Sequence, residues 1–309
     1  MPQQEPQRQS APRTITPFSS PAVPDTGRLR FPLVGVPLEA LVRSALEEDG
    51  AYNDITTIAT VVSERRARAL LAARQRTVLA GVPLAVEAFR TLDPKVAIRI
   101  DAEDGTRLGA GEGVLFITGH ARPMLAAERV ALNFLQRLSG IATLTARYVD
   151  AVAGTRARIL DTRKTTPGWR QLEKYAVRAG GGANHRFDLA SGVLIKDNHL
   201  AALDGDVALA VRRARETAPP DTRVEVECER RDQVEAAIRA EADVIMLDNM
   251  PPALMRECVS LVAGRAIVEA SGGVTLSTAR EIAETGVDWI SVGALTHSAP
   301  AVDLTLDFE

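Results

Sequence analysis

The sequence predicts an α/β protein in which an N-terminal α+β domain precedes a C-terminal, incomplete (β/α) barrel. From about residue 157 onwards, short apolar runs alternate with amphipathic helical segments, a pattern typical of parallel strands joined by crossover helices. Polar residues recur at or just past the ends of those runs, and in a barrel such ends form a single mouth. Upstream, strand-like segments separated by a turn signal indicate an antiparallel sheet.

Composition narrows the class of protein. With 309 residues, of which 46% are hydrophobic and 25% charged, the chain is long enough for two domains. Cys228 and Cys258 are too few for a disulfide framework, so we expect packing roles and a reducing compartment. No apolar run approaches the roughly 20 residues of a membrane helix, and no secretory signal is evident. We expect a cytoplasmic protein.

Residues 1–27 are rich in Pro, Gln and Ser without apolar periodicity, so we expect a disordered tail. The next predicted unit, residues 28–138, alternates helical and strand-like patterns. Its predicted helices are Pro37–Glu48 and Pro83–Leu92, and its predicted strands are Ala67–Gly81, Lys95–Asp101 and Val114–Gly119. The last apolar alternation of the chain predicts that residues 300–309 return as a strand to this sheet.

Two consecutive helices are predicted next, Pro123–Leu138 and Ile141–Ala153, because Gly140 is typical of a helix end. Glu128 and Arg129 fall in the middle of the first helix, where the pattern alone favours a surface ion pair.

Residues 139–299 form the predicted barrel domain. Its predicted strands are Ala157–Leu160, Val193–Ile195, Val224–Cys228, Val244–Leu247, Ala266–Val268 and Trp289–Val292. Its predicted crossover helices are Trp169–Ala179, Asp204–Glu216, Asp232–Ala240, Pro252–Val262 and Ser277–Glu284. An open doubly wound sheet is the alternative, but it would spread the polar strand ends apart, whereas a barrel gathers them.

Positive charge is concentrated between Asp161 and His199. This segment contains seven Lys or Arg residues and four acidic residues, although the whole chain has a net charge of -3. Such a local excess favours a small, highly anionic ligand, whereas a nucleic-acid polymer would require a basic face across the domain. The cations are Arg163, Lys164, Arg170, Lys174, Arg178, Arg186 and Lys196. For Arg170, Lys174 and Arg178, solvated helix faces are an equally open interpretation.

Carboxylates on the predicted barrel strands are the second signal. Glu225 and Glu227 alternate along one strand and therefore share a face, and Asp248 closes the next strand. Acids on a buried face need cations, a metal or ligand hydroxyls. Ion pairs with Lys196 or Arg163 are the structural alternative, and they do not exclude a functional role.

Glycine turns are the third signal. Ser271, Gly272 and Gly273 follow one late strand, and Gly293 follows the next. Glycines at such turns allow backbone N–H groups to approach a phosphate. His185 beside Arg186 follows a glycine run and is interpreted as a loop aimed at an anion, because such a pair gains little from core packing. The four histidines show no metal-binding spacing.

These segments together resemble the quinolinate phosphoribosyltransferase family, also called nicotinate-nucleotide pyrophosphorylase (carboxylating). The resemblance is carried by DTRKTTPGWRQLEKYAVRAGGGANHR, LIKDNH, EVECE, IMLDN, EASGGV and VGALTHSAPAVDLTLDF, with NDITT and AERVALNFLQRLSGIAT upstream. It covers nearly everything after the tail and implies an N-terminal α/β sandwich domain and a C-terminal partial α/β barrel.

The resemblance further implies a reaction and its residues. Quinolinate, phosphoribosyl pyrophosphate and Mg²⁺ would give nicotinate mononucleotide, pyrophosphate and CO₂ in NAD biosynthesis. Arg163, Lys164, His185 and Arg186 would bind carboxylates and phosphates, and Arg129 would reach the site from a second subunit of a homodimer, which replaces its surface-pair interpretation. The residues expected at the phosphoribosyl group are Lys196, Glu227, Asp248, Ser271, Gly272, Gly273 and Gly293, with Lys164, Lys196, Glu227 and Asp248 the expected catalytic residues. No nucleic-acid or membrane partner is implied, and a higher oligomer is left open.

Two alternative functions remain. A related phosphoribosyltransferase would act on another aromatic acid such as nicotinate, although the predicted cationic cluster suits two carboxylates better than one. A non-catalytic anion-binding protein is the other, but binding alone would not require inward-facing carboxylates beside a phosphate site.

Overall fold

The structure, a computed structural model, describes residues 29–309, so the tail predicted for residues 1–27 lies outside the described residues. The α-helices are, in chain order, α1 (Val36–Glu48), α2 (Ile55–Thr60), α3 (Val82–Leu92), α4 (Ala121–Ala151), α5 (Arg170–Ala179), α6 (Asp197–Ala201), α7 (Val207–Thr217), α8 (Arg231–Arg239), α9 (Pro252–Val262), α10 (Ala279–Ala283) and α11 (Ala294–His297). The strands are β1 (Arg66–Ala73), β2 (Thr77–Val78), β3 (Ala97–Ile100), β4 (Arg107–Leu108), β5 (Gly113–His120), β6 (Arg158–Leu160), β7 (Val193–Ile195), β8 (Val224–Cys228), β9 (Val244–Asp248), β10 (Ile267–Ser271), β11 (Trp289–Ser291) and β12 (Leu304–Phe308). None of the helices between residues 29 and 309 has the length and apolar character that crossing a bilayer requires.

Packing divides these residues into two compact units. Unit A comprises residues 29–153, 158–185 and 292–309, and unit B comprises residues 154–157 and 186–291. The domain boundaries predicted from the sequence, 28–138 and 139–299, stay predictions.

Unit A contains a four-stranded antiparallel sheet in the order β12-β1-β5-β3. Strand β12 pairs with β1 so that Leu71 lies opposite Leu306, and both side chains are buried. This pairing confirms that the end of the chain returns to the N-terminal sheet. Alternation places Leu304 and Leu306 of β12 against the core, which accounts for the period of two in this apolar pattern, whereas Phe308 at the end of the strand is exposed.

Helix α4 is a single helix of 31 residues, so the prediction of two helices separated at Gly140 was wrong. A side chain at Gly140 would collide with the carbonyl oxygen of Pro300, which lies against this point of the helix. The glycine therefore serves the close approach of a second segment rather than a helix end, and sequence alone does not distinguish these two uses.

Asp104 links α3 to α5 within unit A. Its carboxylate accepts hydrogen bonds from the Val82 N–H at 3.0 Å and from the Tyr175 hydroxyl at 2.6 Å. Burial raises the pKa of Asp104 above its ordinary value of 3.8, and these hydrogen bonds partly oppose the shift.

Asp104→Asn is therefore expected to change how stability depends on pH. The folded protein retains the Asp104 proton to higher pH than the unfolded chain does, so the wild-type free energy of unfolding falls as pH rises through the folded pKa. The variant lacks this titration, and its stability relative to the wild type should increase from about pH 4 upwards. Urea unfolding of both proteins between about pH 4 and 7 tests this, and parallel stability profiles would contradict it.

Unit B contains five parallel strands in the spatial order β11-β10-β9-β8-β7. Helices α6 to α10 connect them, and each long connection carries an apolar face toward the strands. The strands follow one another in sequence order without a switch point, so a doubly wound arrangement of these strands is excluded. The structure thus has the predicted α/β class, with an N-terminal sheet and a partial (β/α) barrel.

Candidate active site

In unit B, three predicted site residues lie at the carboxyl ends of neighbouring strands. Asp248 is the last residue of β9 and lies opposite Ser271, the last residue of β10. Glu227 is on β8, opposite Met246 of β9. Because the strands are parallel, their carboxyl ends lie at the same edge of the sheet, and so do these polar groups. The architecture thus gathers the predicted phosphoribosyl-binding residues of this unit along one edge.

Lys196 follows β7 at that edge and forms an ion pair with Glu227, with Nζ and Oε2 separated by 2.9 Å. The Glu227 side chain is 9% exposed, whereas that of Lys196 is 46% exposed. This is the ion pair that the sequence offered as an alternative. An ammonium group has three donors, so the pair leaves Lys196 able to bind a further anionic oxygen.

The Ser271–Gly273 turn requires its glycines. Gly272 and Gly273 have φ values of 89° and 60°, and a side chain at Gly272 would collide with the side-chain amide of Asn249. That amide donates to Asp248 Oδ2 at 2.7 Å, so the turn packs directly on a group that orients Asp248. A side chain at Gly273 would meet only open space, which leaves its backbone accessible to a ligand.

Unit A holds a buried ion pair between Asp161, which follows β6, and Lys174 of α5. Asp161 Oδ1 accepts from the His185 N–H at 2.9 Å, and Lys174 Nζ donates to the His185 carbonyl at 3.0 Å. Burial raises the pKa of Asp161 and lowers that of Lys174, while the attraction between the two charges opposes both shifts. The solvated helix face considered for Lys174 was wrong, because the buried Asp161 requires a counter-charge.

His185 and Arg186 are buried, with 6% and 5% of their surface exposed, so the argument that this pair gains little from packing was wrong. The backbone of His185 is bonded on both sides by the ion pair of Asp161 and Lys174. Arg186 Nη1 donates to the Gly192 carbonyl at 2.9 Å within unit B. These bonds fix the backbone of His185 and satisfy one donor of the buried Arg186 side chain.

Arg163 and Lys164 lie in the loop between β6 and α5. Arg163 is half-buried, and its Nε is buried without a hydrogen-bond partner among residues 29–309. Lys164 is exposed, but its carbonyl accepts from Thr296 Oγ1 at 2.7 Å. A side chain at Gly293 would lie 3.1 Å from Lys164 Cδ and from His297 Nε2. Gly293 therefore leaves room for the Lys164 side chain to extend past it.

The remaining predicted site residue, Arg129, is exposed on α4. Cys228 and Cys258 are both free and buried, in accordance with packing roles, and burial raises the pKa of the Cys228 thiol to about 12. The sequence analysis did not identify three residues that support the loop between β6 and α5: Glu173 and Thr296, which bond to it directly, and Arg137, which bonds to both of them. The available signal was a charged residue, Arg137, on an otherwise apolar stripe of α4.

Comparisons with known proteins agree over nearly the whole described chain. Residues 54–139 match the family described as quinolinate phosphoribosyl transferase, N-terminal domain, and residues 141–307 match the corresponding C-terminal domain. The chain is 43% identical over 270 residues to a probable nicotinate-nucleotide pyrophosphorylase [carboxylating] of Bacillus subtilis, covering 87% of this chain and 93% of that protein. It is 44% identical over 274 residues to a nicotinate-nucleotide pyrophosphorylase [carboxylating] of Mycobacterium leprae, covering 86% and 95%.

Solved structures give the same result. The nicotinate-nucleotide pyrophosphorylase from Francisella tularensis aligns with a TM-score of 0.84 and 38% identity over 91% of this chain and 99% of that one. The two family matches together span more than half of the chain, and the relatives exceed 40% identity over most of its length. The chain belongs to the quinolinate phosphoribosyl transferase family.

Proposed function

We propose that the protein is a carboxylating phosphoribosyltransferase that joins quinolinate to phosphoribosyl pyrophosphate, releasing pyrophosphate and CO₂ and forming nicotinate mononucleotide for NAD biosynthesis. The observation that carries the proposal is the half-buried Arg163, whose Nε lacks a hydrogen-bond partner within residues 29–309, in a chain of this family. A buried guanidinium donor without a protein acceptor is costly, and a ligand carboxylate would satisfy it.

In this proposal the cationic residues bind the two carboxylates of quinolinate. Arg163, Lys164, His185 and Arg186 bind carboxylate and phosphate oxygens, because a guanidinium fork pairs with a carboxylate through two parallel hydrogen bonds. Holding both carboxylates fixes the angle of the pyridine ring, so that its nitrogen faces C1 of the ribose. Such positioning alone contributes several kcal/mol to catalysis, up to about 7–11 in favourable cases.

In this proposal, unit B residues and Gly293 of unit A bind the phosphoribosyl group. The 5′-phosphate contacts the backbone of the Ser271–Gly273 turn and of Gly293, where glycines allow a close approach. Lys196, Glu227 and Asp248 face the ribose and the pyrophosphate. The ion pair of Lys196 with Glu227 keeps both side chains at the strand ends before any ligand arrives.

The proposed reaction needs no nucleophilic side chain. As the bond from C1 to pyrophosphate breaks, C1 acquires positive charge, which the carboxylates of Glu227 and Asp248 stabilise, and Lys196 and Lys164 offset the charge of the leaving group. The ring nitrogen then bonds to C1 and becomes cationic. Its positive charge stabilises the electron pair left when the neighbouring carboxylate departs as CO₂.

Mg²⁺ is part of the proposal. Hard carboxylate oxygens at Glu227 and Asp248 are of the type that Mg²⁺ prefers, and it commonly combines one or two of them with substrate phosphates. One oxygen of Glu227 bonds to Lys196 and one of Asp248 bonds to Asn249, so each carboxylate retains a second oxygen for this purpose. When bound, Mg²⁺ supplies positive charge that offsets the charge of the leaving pyrophosphate.

Turnover of purified protein with quinolinate, phosphoribosyl pyrophosphate and Mg²⁺ tests the proposal, with nicotinate mononucleotide, pyrophosphate and CO₂ as the expected products. Nicotinate in place of quinolinate is the control for the alternative substrate, and it should react at least about 10²-fold more slowly, because the site would be left with unpaired cationic donors. Equal turnover of nicotinate would favour the alternative. Ligand binding without turnover by folded protein would favour the non-catalytic alternative.

We also propose a homodimer in which Arg129 completes the site of the partner subunit. The exposure of Arg129 on α4 within its own chain supports this assignment. Arg129→Ala and Glu227→Gln proteins should each be nearly inactive, whereas their mixture after subunit exchange should recover up to about a quarter of wild-type activity. Half of the dimers would be mixed, and each would contain one intact site. If the mixture contained mixed dimers but recovered no activity, the result would argue against shared sites.

We place the protein in the cytoplasm in this proposal. Two free, buried cysteines fit a reducing compartment.

A further inference from the structure

A connected set of hydrogen bonds joins three segments of unit A behind the predicted substrate loop, residues 162–169. At its centre is Arg137 of α4, whose guanidinium donates to Glu173 Oε1 at 2.8 Å and to the carbonyls of Thr296 at 2.6 Å and Ala299 at 3.0 Å. One side chain thus bonds to α5, to α11 and to the residues that follow α11. We call this set, with the loop contacts described next, the Arg137 network.

Glu173 extends the network into the substrate loop. Its carboxylate is fully buried and accepts from the Thr166 N–H at 3.0 Å and from the Thr166 hydroxyl at 2.8 Å. The same carboxylate also forms a salt bridge with the Arg137 guanidinium. A buried carboxylate that accepts from a cation and from two loop donors fixes the loop more firmly than a water-exposed pair, because water does not compete for these bonds in the interior.

Thr296 connects the Arg137 network to Lys164. Its hydroxyl donates to the Lys164 carbonyl at 2.7 Å, while its own carbonyl accepts from Arg137. Lys164 is thereby held at its backbone, and its side chain extends past Gly293, where a Cβ would come within 3.1 Å of Cδ. Stacking of Phe134 on Trp169, with ring centroids 5.5 Å apart, ties the far end of the loop to α4 as well.

We propose that Arg137 is a positioning residue for catalysis, acting through Glu173 and Thr296 to hold Arg163 and Lys164 in the orientation that binds the substrates. This inference rests on the proposed function. The three hydrogen bonds of Arg137 go to Glu173, Thr296 and Ala299, and the first two of these residues bond to the loop, so the proposed effect on the substrates passes through the loop. Its position on α4 makes the longest helix of unit A the support of the substrate loop.

Thr296→Val tests the network with minimal change of shape, because valine fills the same volume but cannot donate to Lys164. We expect KM for both substrates to rise about tenfold and kcat to fall about tenfold, since small displacements of binding groups cost up to about 10²-fold in rate. Thr296→Ser, which retains the hydroxyl, should return both constants to within about threefold of the wild type. Arg137→Lys should resemble Thr296→Val, because one ammonium cannot reproduce the three contacts.

Thr285→Val is the matched control. Thr285 is also buried, and its hydroxyl donates to a backbone carbonyl, that of Ile282, at 2.6 Å. The chemical change is the same, but the residue contacts none of the network, so KM and kcat should not change. A merely structural role for Thr296 would lower the melting temperature and leave both constants of the folded enzyme unchanged, as in the control, and that result would overturn the inference.

Hydrogen exchange separates this inference from the proposed function. Amides of the substrate loop should exchange faster in Thr296→Val and Arg137→Lys than in the wild type, Thr296→Ser and Thr285→Val. If the wild-type protein does not turn over quinolinate, the proposed function fails, and the exchange data alone decide whether the network orders the loop. Equal loop exchange in all five proteins would refute the network's role irrespective of activity.

Discussion

Lys174→Met is expected to lower the free energy of unfolding by about 3–5 kcal/mol, because it leaves the carboxylate of Asp161 buried without a counter-charge. Asp161 is fully buried and Lys174 is 2% exposed, so water cannot replace the lost ammonium. The change also removes the donor to the His185 carbonyl. Urea or thermal unfolding followed by circular dichroism measures the effect.

Two further variants make this prediction specific. Asp161→Asn combined with Lys174→Met removes both charges while retaining an acceptor for the His185 N–H, and it should recover most of the lost stability. Arg107→Met breaks an exposed ion pair with Asp150, whose side chain is 56% exposed, and should cost less than about 1 kcal/mol. If the buried and the exposed substitution had equal effects, the buried pair would not have the structural role assigned here.

Arg163→Ala is expected to reduce kcat/KM for quinolinate by at least about 10³-fold while the protein remains folded. The proposed ligand carboxylate would lose a guanidinium whose Nε has no competing acceptor among residues 29–309. Steady-state kinetics with both substrates, together with melting temperatures, tests this. Because no protein hydrogen bond to Nε is lost, the melting temperature should not fall.

Two controls accompany Arg163→Ala. Arg163→Lys retains the charge but not the planar fork, and it should recover only part of the lost activity. Arg158→Ala removes an exposed arginine from the start of β6, the strand that precedes the substrate loop, and should leave kinetics unchanged. Activity of Arg163→Ala within about threefold of the wild type would contradict the assignment of Arg163 to substrate binding.

The elements of the structure were largely predictable because local periodicity determines them. The strands β8 and β9 and the helix α9 appear where apolar runs and helical spacing placed them, and β12 where alternation placed it. Gly140 was misinterpreted because its function depends on Pro300, a residue 160 positions away in the chain, and no local pattern carries that information.

The candidate site was less predictable from the sequence than the fold. Strand-end acids and glycine turns are local signals, and the ion pair of Lys196 with Glu227 could be anticipated from them. The burial of Lys174 and the network around Arg137 could not, because a charged residue on a helix has the same sequence pattern whether it faces water or a buried acid. The assignment of individual residues to substrates stays a prediction.

The pairing of β12 with β1 has a consequence for biosynthesis. The sheet of unit A pairs β1 with β12, and all of unit B lies between these two strands in the sequence. Domains usually fold as units in the order in which the ribosome releases them. Here β1 emerges early, and one side of its backbone stays unpaired until β12 has also been synthesised. Throughout that interval the nascent chain presents an open strand edge, the kind of surface on which misassembly with a neighbouring chain begins.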